Sequence, residues 1–311
     1  MFTRTALFIA TNLAVLFVLN LLITIFGLNQ PGMNWTPMLI IAGIMGFAGS
    51  FISLLMSKTM AKRSAGARVI TKPSNDTERW LVDIVTSQAE KAGIGMPEVA
   101  IFDSPAPNAF ATGANKNSSL VAVSTGLLEA MTKGEAEAVL AHEISHVANG
   151  DMVTLSLIQG VVNTFVIVLS QIISSLVDRR RGGGYNSSGY GFGRGLGYRA
   201  TYMISQLVLG FLATLIVRWF SRWREYRADA GGASLAGTDK MVAALEKLQS
   251  LQRPAQLPAQ MQALGINGGL LGVMGLKKLT MTHPPLEERI RALRDNPVSP
   301  SSNSAEAVIR Q

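Results

Sequence analysis

Residues 140–151 read LAHEISHVANGD. The chain has three histidines in 311 residues. Two of them, His142 and His146, stand four apart, with Glu143 beside the first. On a helix, residues i and i+4 stack on one face. Two imidazoles at that spacing can grip one ion. Zinc accepts imidazole nitrogen, and a catalytic zinc site keeps a position open for water. A glutamate next to the first histidine is placed to take a proton from that water. The pattern therefore predicts one Zn²⁺ per chain, with His142 and His146 as ligands and Glu143 as the catalytic base. A merely structural histidine pair would leave a glutamate in an apolar stripe unexplained, because burying an unpaired carboxylate is costly.

The helix that must carry these groups has readable ends. Thr132 and Glu135 form a capping-box pattern, which sets the start. Asn149–Gly150 supplies the stop. Between them Ala136, Val139, Leu140, Ile144 and Val147 make an apolar stripe. The two histidines lie at one edge of that stripe, and Glu143 projects into it.

A catalytic zinc usually has three protein ligands. The chain has no cysteine, so no thiolate site is available. The H-E-x-x-H-x-x-G-x-x-H continuation is missing, which points to a carboxylate as the third ligand. A candidate stretch is SRWREYRADAGGASLAG, residues 221–237, where Glu225 and Asp229 are again four apart. Glu225 could bind the metal. Asp229 could accept a hydrogen bond from the outer nitrogen of a ligand histidine. Spacing alone favours a plainer reading, a solvated helix whose acids pair with Arg222, Arg224 and Arg227.

The rest of the chain reads as a membrane protein. Apolar residues make up 48% and charged residues 15%, against about 25% charged in ordinary soluble domains. Mean hydropathy is +0.27. Four apolar runs are long enough to span: 5–27, 35–57, 153–177 and 201–220. The first is too long for the apolar part of a signal peptide and has no small-x-small site after it, so it reads as an uncleaved anchor. Lys58, Lys62, Arg63, Arg68 and Lys72 follow the second run. The positive-inside rule then places residues 58–152 in the cytoplasm. The loop joining the last two runs carries five arginines. If both runs span, that loop sits outside, against the positive-inside rule; if they form a hairpin that only dips into the bilayer, it stays inside. Its Gly/Ser/Tyr composition reads as a flexible linker rather than a nucleic-acid segment. The net charge of +8 fits basic residues beside anionic lipid, and no nucleic-acid partner is expected. The runs are almost free of internal charge, which argues against a transporter.

Two soluble stretches remain. Residues 76–93 and 241–252 have helical periodicity, 97–104 alternates like a strand, and 118–131 reads as a strand entering a short helix. Residues 253–282 show no clear pattern. The tail at 296–311 has a disordered composition.

HEISH at 142–146, the E-x-x-x-D of EYRAD at 225–229 and four apolar runs in this order resemble the HtpX family of bacterial membrane metalloproteases, relatives of the CAAX prenyl protease. The resemblance covers nearly the whole chain. It implies an α+β, mainly helical fold. This would be a gluzincin-type catalytic domain with a small edge sheet, plus about four transmembrane or membrane-embedded helices. Two N-terminal transmembrane helices would occupy 1–57. The catalytic domain would be split between 58–152 and 221–295, around two membrane helices at 153–220. The implied metal ligands are His142, His146 and Glu225, with Asp229 behind them. The implied activity is zinc endopeptidase cleavage of misfolded or misassembled membrane proteins at the bacterial inner membrane, with the site facing the cytoplasm. A specific processing peptidase like the prenyl protease is the alternative. PNAFATG (107–113) resembles the family's element beside the active-site strand. Asn108, Ala109 and Phe110 then become substrate-binding candidates, with the next strand, around Leu120–Ser124, offering its edge to substrate. THPPLEERI (282–290) brings the third histidine, His283. The resemblance implies that it steadies the oxyanion or contacts the metal. The unabsorbed reading is a loop histidine fixed by two prolines. Oligomeric state is not legible in the sequence.

Overall fold

The computed structural model describes residues 36–180, 196–252 and 283–297, with Phe17, Leu21, Thr24 and Ile25 before them. The elements are α1 (Thr36–Ala65), β1 (Arg68–Val69), α2 (Asp76–Lys91), β2 (Glu98–Phe102), β3 (Ala109–Asn115), β4 (Ser118–Ser124), α3 (Thr125–Ala130), α4 (Lys133–Asn149), α5 (Asp151–Arg180), α6 (Leu196–Ala236), α7 (Thr238–Gln252) and α8 (Leu286–Asp295). They divide into two compact units. One covers residues 1–53 and 155–217, the other 54–154 and 218–311.

The first unit is helical. Met38, Leu39 and Ala42 of α1 pack against Val168 and Ile172 of α5. Among the described residues three helices are long and apolar enough to cross a membrane: α1, α5 up to Asp178, and α6. The expected run at 5–27 lies largely outside the described residues. So do the joining loop at 181–195, the stretch 253–282 and most of the tail. The helices α5 and α6 have 30 and 41 residues. At 1.5 Å per residue they reach roughly 45 and 60 Å, more than the roughly 30 Å hydrocarbon core requires.

The second unit is built on a four-stranded sheet in the order β1-β2-β4-β3. β2 and β4 are parallel, while β1 and β3 pair antiparallel with their neighbours. Alternation along the strands sends Val99, Ala111, Val121 and Val123 to one face, where Leu81 and Val85 of α2 and Leu140 and Ile144 of α4 cover them. Ala100, Phe102, Leu120 and Ala122 face the other way. The far side of α4 packs on α3, α7 and α8 through Leu127, Met241, Leu245 and Ile290. The helix α4 therefore lies between two apolar clusters, with few exposed positions.

The sheet order corrects one expectation. The strand offering an edge is β3, not Leu120–Ser124. β4 is hydrogen-bonded on both sides, to β2 and to β3. Its run SSLVAVS is buried from Ser119 onward, as a central strand's must be.

Candidate metal centre

The helix α4 is fixed at both ends by its own sequence. Thr132 and Glu135 make the reciprocal capping box. Gly150 ends the helix in the left-handed conformation, φ 67 and ψ 32. The next helix starts at Asp151. This turn folds Asp151 back, so that its Oδ2 lies 2.6 Å from His146 Nδ1.

His142 is held from farther away. Its Nδ1 lies 2.9 Å from Asp229 Oδ1. Asp229 in turn accepts from Arg289 Nε at 2.7 Å and from Arg289 Nη2 at 2.5 Å, a bidentate fork. Bidentate guanidinium–carboxylate pairs fix geometry as well as charge. The approach of α6 to α4 depends on Gly231 and Gly232. A Cβ on Gly231 would stand 2.0 Å from Ser145 Oγ, and one on Gly232 would stand 3.0 Å from the backbone nitrogen of His142.

With both Nδ1 atoms facing carboxylates, the hydrogen-bond network assigns their protons to Nδ1. Both Nε2 lone pairs then point at one place. The two Nε2 atoms are 3.1 Å apart. Glu225 joins them, with Oε2 3.6 Å from His142 Nε2 and Oε1 3.5 Å from His146 Nε2. One donor atom from each of His142, His146 and Glu225 lies within 4.8 Å of the other two. All three residues are buried, and Glu225 Oε1 has no hydrogen-bond partner. An orphaned buried carboxylate oxygen beside two converging lone pairs suits a cation. The donor set, two imidazoles and one carboxylate, is one that zinc accepts.

Carboxylates face both histidines, with Arg289 and Arg224 beside Glu225. Burial disfavours a charged His146 ring, but Asp151 and Glu225 outweigh it and push its pKa up to about 9. For His142 burial likewise opposes the charge, while Asp229 and Glu225 prevail and raise the pKa. A cation entering this cluster therefore competes with protons.

Glu143 is half-buried. Its Oε2 accepts from the Ala111 N–H at 2.8 Å. That N–H lies on the free edge of β3, because Asn108, three residues earlier, points its carbonyl at the Ser124 N–H of β4. The candidate base thus stands between the histidines and an open strand edge. The three candidates on the same stretch divide. Asn108 is tied to Ser124, accepting from its N–H and donating to its Oγ, each at 2.9 Å. Ala109 sits on the edge strand near the core. The Phe110 ring packs on Phe102, with centroids 5.5 Å apart, on the sheet face opposite α4. It does not line the metal cluster.

His283 Nδ1 lies 2.8 Å from Glu225 Oε2, and the side chain is 60% exposed. It touches a candidate ligand directly. Asp151 and Arg289 are absent from the sequence reading. Asp151 had a signal, an acid directly after the glycine that ends the histidine helix. Arg289 had none beyond lying near His283, since its partner is 60 residues away in the chain.

The sequence model of peptidase family M48 matches residues 75–296. A protein called Protease HtpX from Stenotrophomonas maltophilia is 56% identical over 299 residues, 96% of this chain and 100% of that one. A Protease HtpX homolog from Thiobacillus denitrificans is 59% identical over 295 residues, 94% of this chain and 98% of that one. The crystal structure of S. mikatae Ste24p superposes with a TM-score of 0.59 at 19% identity. It covers 93% of this chain, which spans 64% of the Ste24p chain. That likeness concerns the fold. With the matched stretch covering both helices that carry the candidate ligands, and near-full-length relatives named as proteases, this chain belongs to peptidase family M48 as a membrane-associated metalloprotease.

Proposed function

We propose that the chain is a zinc-dependent endopeptidase that hydrolyses peptide bonds of misfolded or misassembled membrane proteins, as quality control under stress. The observation that carries the reading is the convergence of two Nε2 lone pairs on Glu225, whose Oε1 makes no hydrogen bond, with Glu143 next to His142 in the chain. His142, His146 and Glu225 would hold one Zn²⁺. Bound there, the ion supplies Lewis acidity toward a carbonyl and toward water. Asp229 and Asp151 fix which ring nitrogen of each histidine carries the proton. Glu143 takes the proton of the attacking water and returns it to the leaving amine, as one base acting twice. The edge of β3, where Glu143 already holds the Ala111 N–H, can pair with an extended substrate by main-chain hydrogen bonds through its remaining outward groups. Backbone pairing reads little side-chain identity, which suits substrates defined by being unfolded. His283, against Glu225, is placed to steady developing charge on the substrate oxygen or to contact the metal. The lysines and arginines after the apolar part of α1 support an inner-membrane, multi-pass protein with its site on the cytoplasmic side. The partners are the bilayer and damaged membrane proteins.

The test uses the full chain in detergent with an unfolded protein such as casein, with and without added zinc, beside Glu143→Gln. Zinc-dependent fragments are expected, and they should vanish in a variant that still binds zinc. Cleavage by Glu143→Gln would remove Glu143 from its role. One invariant cleavage sequence across many substrates would replace quality control with specific processing.

A further inference from the structure

The candidate base is already engaged. Glu143 Oε2 accepts from the Ala111 N–H at 2.8 Å, and that N–H belongs to the outer edge of the sheet. Asn108 and Ser124 bond across β3 and β4. In an antiparallel pair such bonded positions alternate with positions that face away. The register sets Ala109 opposite Val123 and Ala111 opposite Val121, so the N–H and C=O groups of both alanines turn outward. Among the described residues no strand lies beyond them.

The reach of Glu143 to this N–H follows from the packing of α4 on β3. The Ala111 side chain is buried in one cluster with Leu140 and Ile144 of α4, and Glu143 immediately precedes Ile144. At a residue as buried as Ala111, 5% exposed, a backbone N–H needs an acceptor. With the edge empty, Glu143 supplies it. An extended chain can begin to pair through the outward groups of Ala109. To carry the ladder one step further it needs the Ala111 N–H itself. That group has one hydrogen, so an incoming carbonyl and the Glu143 carboxylate compete for it.

We infer that the Ala111 N–H parks Glu143 while the edge is empty, and that a substrate carbonyl taking this N–H releases the carboxylate to the attacking water. This rests on the reading of Glu143 as the base of a protease and adds a condition to it. Only a chain extended enough to pair arms the site. Short peptides and folded segments that reach the metal cluster without reaching β3 meet a base still held. Selection for unfolded chain then acts on turnover as well as on binding. Ala111 acts through Glu143 and is a positioning residue.

The contact and its release are tested separately on the full chain in detergent. Amide hydrogen exchange at Ala111 reads the contact without substrate. In Glu143→Ala it should be at least about tenfold faster than in the native protein, with Phe110 in the same strand unchanged. Equal exchange at Ala111 would overturn the resting contact. Release is read with the zinc-loaded protein and a fluorogenic extended peptide, beside analogues in which one main-chain carbonyl at a time is reduced to a methylene. One analogue should lose kcat and not only raise KM, because nothing takes the Ala111 N–H. The native protein is then compared with a form carrying lactic acid in place of Ala111, which turns the N–H into an ester oxygen. That N–H faces away from β4, so the ladder is kept, and bound zinc and the thermal midpoint check the fold. The ester form should cut the slow analogue at least about fivefold faster than the native protein does, since its base is already free. A merely structural role for Ala111 gives no such gain. An ester form no faster on that analogue, or losses confined to KM across the set, would overturn the release. No cleavage of the parent peptide would sink the protease reading and the release with it, while amide exchange would still decide the contact.

Discussion

The two candidate ligand histidines are held in opposite ways. His146 leans on Asp151, five residues on, across one left-handed glycine. His142 leans on Asp229, on another helix, which leans on Arg289, on a third. The first arrangement is local and forms once α4 ends where its sequence says. The second exists only when α4, α6 and α8 have packed. A metal bound by both histidines therefore reports local and global order together, and the two sides can be broken separately.

The largest effect should come from the distant side. Asp229 and Arg289 are both buried. Removing one partner of a buried pair costs about 3–5 kcal/mol, because the other charge is left uncompensated. Arg289→Ala should lower the thermal unfolding midpoint in detergent. It should also weaken zinc binding about 10–100-fold, the usual cost of losing an outer partner of a ligand. Arg289→Lys should rescue charge but not the fork, so stability would recover more than zinc affinity. Unchanged affinity in both variants would show that His142 needs no clamp.

The close contact of α6 on α4 comes next. Gly231→Ala places a methyl on Ser145 Oγ, and overpacking of this kind costs about 1–3 kcal/mol. Ser145→Gly should restore much of the loss, measured as a coupling in a double-mutant cycle. Strict additivity would mean that the helices do not approach as closely as the glycines allow.

The difference between the sides also explains what was legible. The capping box, the glycine stop and the H-E-x-x-H spacing are local, so α4 and its two histidines could be read directly. The E-x-x-x-D pair was visible as a pattern, but its arginines invited a solvated reading. Only packing decides that, and it buries Glu225 and Asp229 almost fully. Arg289 was invisible because nothing local marks a partner 60 residues away. The edge strand was misplaced by one hairpin, since strand order is a long-range property. Phe110, read as a substrate contact, faces Phe102 because alternation along β3 sends it to the other side of the sheet.

Protons sharpen the comparison further. Asp151 and Glu225 hold His146 at about 9, above its ordinary 6.5. Below pH 9 the ring keeps its proton, and a metal must displace it. Apparent zinc affinity should therefore rise with pH through neutrality, by up to about tenfold per unit per proton released. Calorimetry at pH 7 in buffers of different ionisation enthalpy should count at least one proton released per zinc. Asp151→Asn removes the main support of the charged ring, so its pH slope near neutrality should be shallower. An unchanged slope would show that Asp151 does not hold the proton.

The smallest effect tests the local side by itself. Gly150 adopts φ 67 and ψ 32, a region where a Cβ costs about 1 kcal/mol. Gly150→Ala should destabilise the protein by about that much, and Gly150→Asn by less, since asparagine tolerates the left-handed region. The strain bears on the turn that brings Asp151 to His146, so zinc affinity should fall with stability in the alanine variant. The contact between Asp229 and Arg289 is remote from that turn and should be untouched. Combining Gly150→Ala with Arg289→Ala then gives a direct reading of independence. Additive losses in stability would mean that the two histidines are held separately. A combined loss well short of the sum would mean that the turn and the clamp stabilise one common arrangement, with the metal cluster as the joint between them.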